Sequence, residues 1–319
     1  QYKFGTGDPP DFRERENGCL QSLKEGYLPV VETAWLDREI EYRQEAFAAF
    51  LDGSLKNSLE KHGDEDIVCL MQFSIRNTTI GKKRAQLWFL IQPSEGLSFE
   101  EGFIKAEGRV VPGETVKDKW KVQKYEEPLI RGYIDIKDKG ELTPRTYVDK
   151  LEDAHSIANA IAYEVELDSY EEHTINLTIP FASLVDRGLL SSLSYKEKLN
   201  EVISYWKDYI GEGMQVNVPD PIINDFYKAV PIHVVISVDK DPYSSLYEVP
   251  AGTYRYGPLG TEACWQIRQL DYRGYHKQAE KYLETFVRTQ GERFLDGNFK
   301  SKKGAFQGVG VYGDEIYIK

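Results

Sequence analysis

The chain has 319 residues, of which 41% are hydrophobic and 29% charged, and its 52 acidic against 40 basic side chains give a formal net charge of −12. This composition is typical of a globular protein long enough for two domains, and it excludes a fibrous repeat and wholesale disorder. The acidic balance argues against nucleic acid and anionic membrane as partners, because both bind clustered basic surface, whereas neutral polymers such as glycans stay open.

The residue types that bind metals or crosslink a chain are scarce and scattered. Three cysteines, Cys19, Cys69 and Cys264, cannot form a disulfide framework or a zinc site, and an odd number leaves at least one free. The five histidines show no HExxH or HxH spacing. We therefore expect no metal and no cofactor. Apolar runs fall short of the roughly 18–20 residues that span a bilayer, so no membrane partner is expected.

The sequence begins at Gln1, without an initiator methionine and without a basic-then-apolar signal segment. We expect that something upstream has been removed, either a cleaved signal peptide or the rest of a longer protein. For localisation, a periplasmic or secreted protein is favoured over a cytoplasmic one.

The first two thirds of the chain follow a β pattern. Residues 1–26 contain early glycines and prolines, which predict an irregular lead-in. From Tyr27 onward, strand-length runs alternate with Gly, Asp, Lys and Asn clusters, at the spacing of an antiparallel sandwich. We therefore predict an antiparallel β-sandwich over residues 27–182. The run Ile67–Ile75 is apolar on nearly both faces, which indicates a strand between two packed layers.

Several polar segments interrupt this pattern. Residues 113–124 and 137–150 are expected to be long hairpins or loops. Asn77 and Asn176 each begin a glycosylation sequon, but both lie in strand-like runs, and such matches are frequent by chance.

After Pro180 the apolar period changes to about 3.6 residues, which predicts helices. The run from Ser194 to Glu197 is a capping-box pattern, and the apolar side chains behind it fall on one face of a linker helix within residues 183–217.

A further helix is predicted from its N-cap Asp220 to Val238, with Pro221 at its first position and a kink at Pro231. Because this helix is apolar nearly all round, it should be covered on several sides. We interpret His233 on it as a core histidine rather than a catalytic base.

The run Val249–Gly274, VPAGTYRYGPLGTEACWQIRQLDYRG, contains the strongest candidate site. Its glycines and prolines predict a shaped loop that presents Tyr254 and Tyr256. A helix is then predicted from Thr261 to about Tyr272.

Glu262 lies in the first turn of that helix, and two interpretations are open. The helix dipole favours a first-turn acid by roughly 0.3–1 kcal/mol, which is a purely structural role. Alternatively, a carboxylate beside two tyrosines and Trp265 suits a sugar site, where acids transfer protons and rings stack on sugar faces. Arg268 lies about two turns along the same helix.

The same order of elements then begins again. An amphipathic helix is predicted from Tyr275 to Gln290, followed by a glycine-rich loop. Asp314 and Glu315 open a new ordered segment, so an acid again stands at the start of the element that follows a helix and a loop.

This order, with VPDPIINDFYKA, VPAGTYRYGPLGTEACWQIRQLDYRGYHKQAEKYLETF and FLDGNFKSKKGAFQGVGVYG, resembles the six-hairpin glycosidase superfamily. The resemblance implies an α+β multidomain fold, with an antiparallel β-sandwich, a linker helix and the first hairpins of an (α/α)6 toroid over residues 218–319. It includes one or two of the six hairpins, which implies contacts with the remainder of a longer chain. In that superfamily the main general acid usually lies in a later hairpin than any present here.

In such a fold the loops before the inner helices line a sugar funnel, so the implied function is hydrolysis of an oligosaccharide or polysaccharide by carboxylate acid/base catalysis. The alternative is a non-catalytic glycan-binding or structural module of a larger protein. The expected catalytic residues are Glu262, Asp314 and Glu315, and the expected substrate-binding residues are Tyr254, Tyr256, Trp265 and Arg268.

Overall fold

The computed structural model describes residues 2–12, 18–57, 59–91, 97–106, 109–110, 123–124, 129–135, 139–149, 156–181, 186–250 and 260–290. Tyr254, Tyr256, Asp314 and Glu315 lie outside these residues, so their predicted roles stay predictions. The chain divides into two compact units. The sheet unit comprises the described parts of residues 1–22, 30–52 and 66–198, and the helical unit those of 23–29, 53–65 and 199–319.

The described strands that precede the helices are short to medium in length. They are β1 (Tyr2–Thr6), β2 (Cys19–Lys24), β3 (Leu28–Asp37), β4 (Ile40–Phe50), β5 (Ile67–Asn77), β6 (Lys83–Ile91), β7 (Ser98–Glu100), β8 (Phe103–Ala106), β9 (Arg109–Val110), β10 (Gln123–Lys124), β11 (Leu129–Asp135), β12 (Glu141–Asp149), β13 (Ser156–Leu167) and β14 (Glu172–Pro180).

Most of these strands form two antiparallel sheets. One has eight strands in the order β2-β3-β4-β5-β14-β11-β8-β7, and the other has four in the order β1-β6-β13-β12. Their facing apolar side chains form one buried cluster, to which β4, β5, β8, β11 and β14 contribute from the larger sheet and β6 and β13 from the smaller. The prediction of antiparallel sheets followed by a helical part is therefore confirmed, whereas the toroid stays a prediction.

The nearly continuous apolar run of β5 has a specific cause. Phe73 and Ile75 face the buried cluster between the sheets. Val68 and Leu70 point to the opposite face, because successive side chains of a strand alternate, and they are buried too. Leu70 pairs in register with Phe47 of β4, whose ring lies 5.2 Å from that of Tyr195. This end of the outer face of the sheet is therefore also covered.

The expectation of an irregular lead-in over residues 1–26 was wrong at two strands. Residues 19–24 form β2, and residues 2–6 are the second case. They form β1, which pairs with β6 from Tyr2↔Ile91 to Thr6↔Leu87. Phe4 packs its ring 5.0 Å from Phe73 and 5.8 Å from Phe89. The hydroxyl of Tyr2 donates a hydrogen bond to the Arg131 carbonyl. The pairing partner is far away in sequence, so local glycines and prolines gave no sign of it.

For the polar segment 137–150, which was expected to be a long hairpin or loop, the structure agrees with the hairpin alternative. Residues 141–149 form β12, which pairs with β13 along its whole length at the edge of the smaller sheet. An edge strand pairs with one neighbouring strand only, so it can carry more polar side chains than a central strand. Leu142 of β12 packs against the buried cluster.

The helices follow the last long strand. They are α1 (Arg187–Ser192), α2 (Tyr195–Glu212), α3 (Pro221–Ser237), α4 (Gly260–Tyr272) and α5 (His276–Thr289), with the short pair β15 (Asp239–Lys240) and β16 (Tyr247–Glu248) between α3 and α4.

Local capping signals define where two of these helices begin. The Glu197 amide donates to Ser194 Oγ at 3.4 Å before α2. The Ile222 amide donates to Asp220 Oδ1 at 2.9 Å, and Pro221 is the first residue of α3. Both starts agree with the prediction, because a side-chain oxygen satisfies an amide that has no partner within the helix.

The expectation that the apolar α3 is covered on several sides holds for its C-terminal half, where Ile232 and Val234, about 200° apart around the helix, are both buried. It does not hold for the first residues of α3, which are exposed. Ala229, Ile232 and Val235 are buried, whereas His233 and Ile236 are exposed. The interpretation of His233 as a core histidine was therefore wrong. Its sequence neighbours are apolar, but the angular step of a helix places it off the buried face.

The helices α4 and α5 form a hairpin within the helical unit. Gly274 joins them with a φ of 94°, a value that glycine adopts without strain. The Tyr275 ring stacks 4.7 Å from Tyr209 of α2. Thr285 Oγ1 of α5 donates to the Tyr247 carbonyl at 2.7 Å and accepts from the Tyr247 amide at 3.0 Å. These buried contacts fix α5 against α2 and β16.

Candidate functional site

The helix α4 separates a buried face from an outward face. Its buried side chains are Ala263, Ile267 and Leu270, at the spacing of one helical stripe. At the C-terminal end, the amides of Gly274 and Tyr275 donate to the carbonyls of Asp271 and Leu270, at 3.0 and 3.1 Å. The apolar stripe therefore fixes the rotation of α4 about its own axis. In this orientation Glu262, Trp265 and Arg268 are exposed.

Three side chains on the outward face form what we call the aromatic–arginine stack, defined by Trp265, Arg268 and Tyr272. The guanidinium carbon of Arg268 lies 5.4 Å from the centroid of the Trp265 ring and 4.9 Å from that of Tyr272. Arg268 Nε also donates a hydrogen bond to the Tyr272 hydroxyl at 2.8 Å. Exposed cation–π contacts contribute roughly 0.5–1 kcal/mol each. The arginine thus holds two rings in place on the surface.

The rings of this stack are open to solvent. Trp265 is 64% exposed and Tyr272 66% exposed. An exposed ring presents an apolar face that a sugar can cover, and its polar edge stays hydrated. Tyr272 was absent from the predicted site, although its spacing of four residues from Arg268 could have identified it.

Glu262 stands at the start of the same outward face. It is exposed, lies in the first turn of α4 and precedes Trp265 by three residues. Residues three apart on a helix are neighbours on its surface, roughly 5–6 Å between Cβ atoms. The structure thus brings Trp265 and Arg268 of the predicted set into contact and leaves Glu262 exposed one turn before Trp265. An exposed first-turn acid also stabilises a helix by interacting with its dipole, so both interpretations of Glu262 stay open.

The metal-binding and thiol side chains in the described part of the chain do not form a cluster. Among those residues, no group of three or more His, Cys, Asp and Glu side chains is placed to hold a metal ion. The three cysteines are free thiols. Burial raises the pKa of Cys69 to about 11, so this thiol stays protonated and is a poor nucleophile.

No helix among the described residues combines the length and the apolar character needed to cross a membrane.

Comparisons with known proteins find low similarity, and only to solved structures. The sequence matches no protein-family model and no curated protein. Among solved structures, it is similar to a protein assigned as a kojibiose phosphorylase from the human microbiome, with a TM-score of 0.41 and 9% identity over 75% of this chain and 31% of that chain.

A second similar structure is the family GH92 α-mannosidase BT3965 from Bacteroides thetaiotaomicron, with a TM-score of 0.27 and 9% identity over 83% of this chain and 37% of that chain. The same mannosidase in complex with mannoimidazole gives a TM-score of 0.24 and 10% identity. The chain therefore spans about a third of the length of these structures.

Proposed function

We propose that this chain is part of a glycoside hydrolase that acts on an oligosaccharide or polysaccharide, with the outward face of α4 at the sugar site. One observation supports this proposal above the others, namely the aromatic–arginine stack with Glu262 one turn before it on the same helix. Exposed rings bind the apolar face of a sugar, and a carboxylate at their edge can accept a hydroxyl hydrogen bond or transfer a proton.

The chemistry requires a second carboxylate across the scissile bond. We propose Asp314 or Glu315 for this role, with Tyr254 and Tyr256 as further stacking rings. A separation of the carboxyl groups of about 5–5.5 Å would give a retaining mechanism, and one of roughly 6.5–9.5 Å an inverting mechanism. If neither acid faces Glu262, then Glu262 holds a sugar hydroxyl and the catalytic partner lies elsewhere in the protein.

Exposed apolar side chains of α3 and α5 support the further proposal that the helical unit contacts the remainder of a longer chain. On α3 they are Ile222, Ile223 and Phe226, and on α5 Leu283 and Val287. Large apolar side chains grouped on a surface commonly mark an interface.

Sugar release from a panel of α- and β-linked glycans tests the catalytic proposal. The assay is run with and without inorganic phosphate, which separates hydrolysis from phosphorolysis. The variants are Glu262→Gln, Asp314→Asn and Glu315→Gln, with Glu280→Gln of the exposed face of α5 as a matched control.

The size of the loss in turnover indicates the role of each acid. A general acid or base is expected to cost ~100-fold or more in turnover. A hydroxyl hydrogen bond is expected to cost about tenfold. Full activity in all three variants would remove these residues from the site.

The alternative is a non-catalytic glycan-binding or structural module. The stack favours the binding version, because two exposed rings can bind a sugar face without any carboxylate. Glycan binding without release of sugar would support it. A structural module is favoured instead if no glycan raises the melting temperature, since a ligand that binds the folded state stabilises it.

A further inference from the structure

The guanidinium group of Arg268 is fixed in position but not neutralised by the described part of the chain. It lies over the rings of Trp265 and Tyr272, and its Nε donates to the Tyr272 hydroxyl. The N–H groups on its two terminal nitrogens remain, and they meet no acceptor among the described residues. Because Arg268 is also exposed, this edge of the guanidinium is open to a ligand.

The acidic side chains nearest to Arg268 along α4 do not pair with it. Residues three and four apart on a helix are surface neighbours, and Asp271 is the one acid at these positions. Its Oδ1 instead contacts Nδ1 of His276, at 2.6 Å. Glu262 lies six residues earlier, about 9 Å along the helix axis and about 120° around it. The positive charge of Arg268 is therefore available to an anion.

Two other arginines among the described residues lie over aromatic rings, and both use a terminal nitrogen within the protein. Arg145 donates to Glu164 Oε1 at 2.8 Å, and Arg273 donates to the Tyr227 carbonyl. Arg268 has the same kind of ring contact, but the described part of the chain supplies no oxygen to its terminal nitrogens. A ligand oxygen would complete the arrangement.

The shape and charge of this edge favour a carboxylate. A guanidinium is planar, and two parallel N–H groups match the two oxygens of a carboxylate in a bidentate contact. A phosphate ester carries about −1.5 to −2 charges near neutral pH, which is more than one guanidinium offsets. The formal net charge of −12 does not exclude an anion here, because salt screens exposed charges more than about 8 Å apart at physiological ionic strength.

The exposed rings supply the second part of the recognition. A uronic acid residue presents an apolar face of C–H groups, and its carboxylate projects from the edge of the sugar ring. Trp265 is 64% exposed, and a sugar can cover its aromatic face. A uronic acid on that ring brings its carboxylate close to the guanidinium carbon of Arg268, which lies 5.4 Å from the ring centroid.

We propose that the aromatic–arginine stack binds a uronic acid residue of an acidic polysaccharide, with the carboxylate on the terminal nitrogens of Arg268 and the sugar face on an exposed ring. This inference rests on the proposed function and names the substrate class of the same site. Glu262, about 9 Å away along the helix, then meets a different sugar unit of the same glycan. For a neutral glycan, Arg268 only orients the rings.

Titration calorimetry on the full chain near neutral pH tests the proposal. The probes are trisaccharides of galacturonic acid and of glucuronic acid, each compared with its methyl ester, which has the same shape without the charge. We expect at least one acid to bind about tenfold or more tightly than its ester, because hydrogen bonds to charged groups are the stronger ones. Glucose 6-phosphate should bind no better than glucose.

The ratio of acid affinity to ester affinity separates direct contact from a structural role. Arg268→Gln should bring this ratio close to one, and Arg268→Lys should keep only part of it, because an ammonium lacks the planar fork. If Arg268 merely held the rings in place, both ligands would weaken alike and the ratio would stay unchanged. Arg288→Gln is the matched control, since it removes the same charge from α5, where Arg288 pairs with Glu284 at 2.7 Å.

Three outcomes would overturn the inference. They are equal affinity for acid and ester in both pairs, an acid preference that persists in Arg268→Gln, and tighter binding of the phosphate ester than of either uronic acid. Sugar release is measured separately, with Glu262→Gln beside the parent. Release from neutral glycans without any acid preference would leave the proposed hydrolase standing and remove this inference, whereas an acid preference without release from any glycan would do the reverse.

Discussion

The hydroxyl of Tyr209 on α2 donates a hydrogen bond to Oε1 of Gln278 on α5, at 2.8 Å. Gln278 is 5% exposed, and its Nε2 donates in turn to the Tyr282 hydroxyl at 2.8 Å. Burial raises the pKa of Tyr209, and it raises that of Tyr275 to about 12, so both hydroxyls keep their protons at neutral pH. A buried polar chain thus links α2 to the α4–α5 hairpin.

Tyr209→Phe is predicted to destabilise the helical unit. The substitution keeps the ring but removes the donor to a buried carbonyl oxygen, which costs about 1–3 kcal/mol. Urea denaturation followed by circular dichroism measures the change in the free energy of unfolding. Glu280→Ala, at an exposed position of α5, serves as the control. An unchanged midpoint in Tyr209→Phe would mean that the hydrogen bond contributes nothing to stability.

Acid should weaken the sheet unit through Glu164 of β13. Burial by itself would raise the pKa of Glu164, but hydrogen bonds from Arg84 and Gln86 and the charges of Arg145 and Arg84 outweigh it, so its pKa lies below the usual range. A group with a lowered pKa stabilises the fold above its unfolded pKa of about 4.3 and loses that contribution as pH falls through the folded value.

Glu164→Gln tests this pH dependence. The parent should lose more stability than the variant between about pH 5 and pH 2, while the two differ by a constant amount near neutral pH. Melting temperatures over this series measure the effect, and Glu166→Gln, two residues further along β13, is the control. Parallel curves for parent and Glu164→Gln would show that this carboxylate does not cause the acid sensitivity.

The features that sequence predicted well are those set by neighbouring residues. The starts of two helices were predicted correctly, because a cap uses amides within one turn. The caps are Asp220 before Pro221, and Ser194 three residues before Glu197. Trp265 and Arg268 lie on the predicted helix, and both are exposed. Their contact with Tyr272 was missed, although it depends on the same helical spacing.

The features that sequence predicted poorly depend on distant partners. The strand β1 exists because Tyr2 and Phe4 meet β6 and β5, and nothing within residues 1–26 indicates that partner. The sequon at Asn77 was discounted because it lies in a strand-like run, and the fold agrees. The residue is 0% exposed, and its Nδ2 donates to the carbonyls of Gly81 and Asp168, at 2.7 and 2.9 Å.

Gly63→Ala is predicted to destabilise the helical unit strongly. Gly63 has a φ of 100°, and a Cβ there would collide with the carbonyl oxygen of Lys240. Gly53 has a φ of 69°, but a Cβ there would meet open space, so Gly53→Ala carries the backbone strain without the collision. That strain alone is of order 1–2 kcal/mol. The difference in unfolding free energy between the two variants measures the cost of the collision with Lys240. Equal losses of stability would show that the backbone at Lys240 moves to make room for the Cβ.

The aromatic–arginine stack is predicted to determine sugar affinity and not stability. Trp265→Ala and Tyr272→Ala should each weaken glycan binding several-fold, because an aromatic contact is worth about 0.5–1.5 kcal/mol beyond its buried area. Their melting temperatures should change little, since surface substitutions usually stay within ~0.5 kcal/mol. Tyr243→Ala, at a residue that is 91% exposed, is the control for loss of an exposed ring elsewhere in the helical unit.

A double-mutant cycle then tests whether Arg268 acts by orienting the rings. If it does, the losses of binding free energy from Arg268→Ala and Trp265→Ala are less than additive. The reason is that a ring without its arginine is already badly placed for the sugar. The expected coupling is about 0.5–1 kcal/mol in binding free energy. Tyr272→Phe keeps the ring and removes the oxygen that accepts from Arg268 Nε, so it should cost less than Tyr272→Ala. Strictly additive losses would mean that Arg268 contacts the sugar on its own, and no loss in any variant would move the sugar site away from α4.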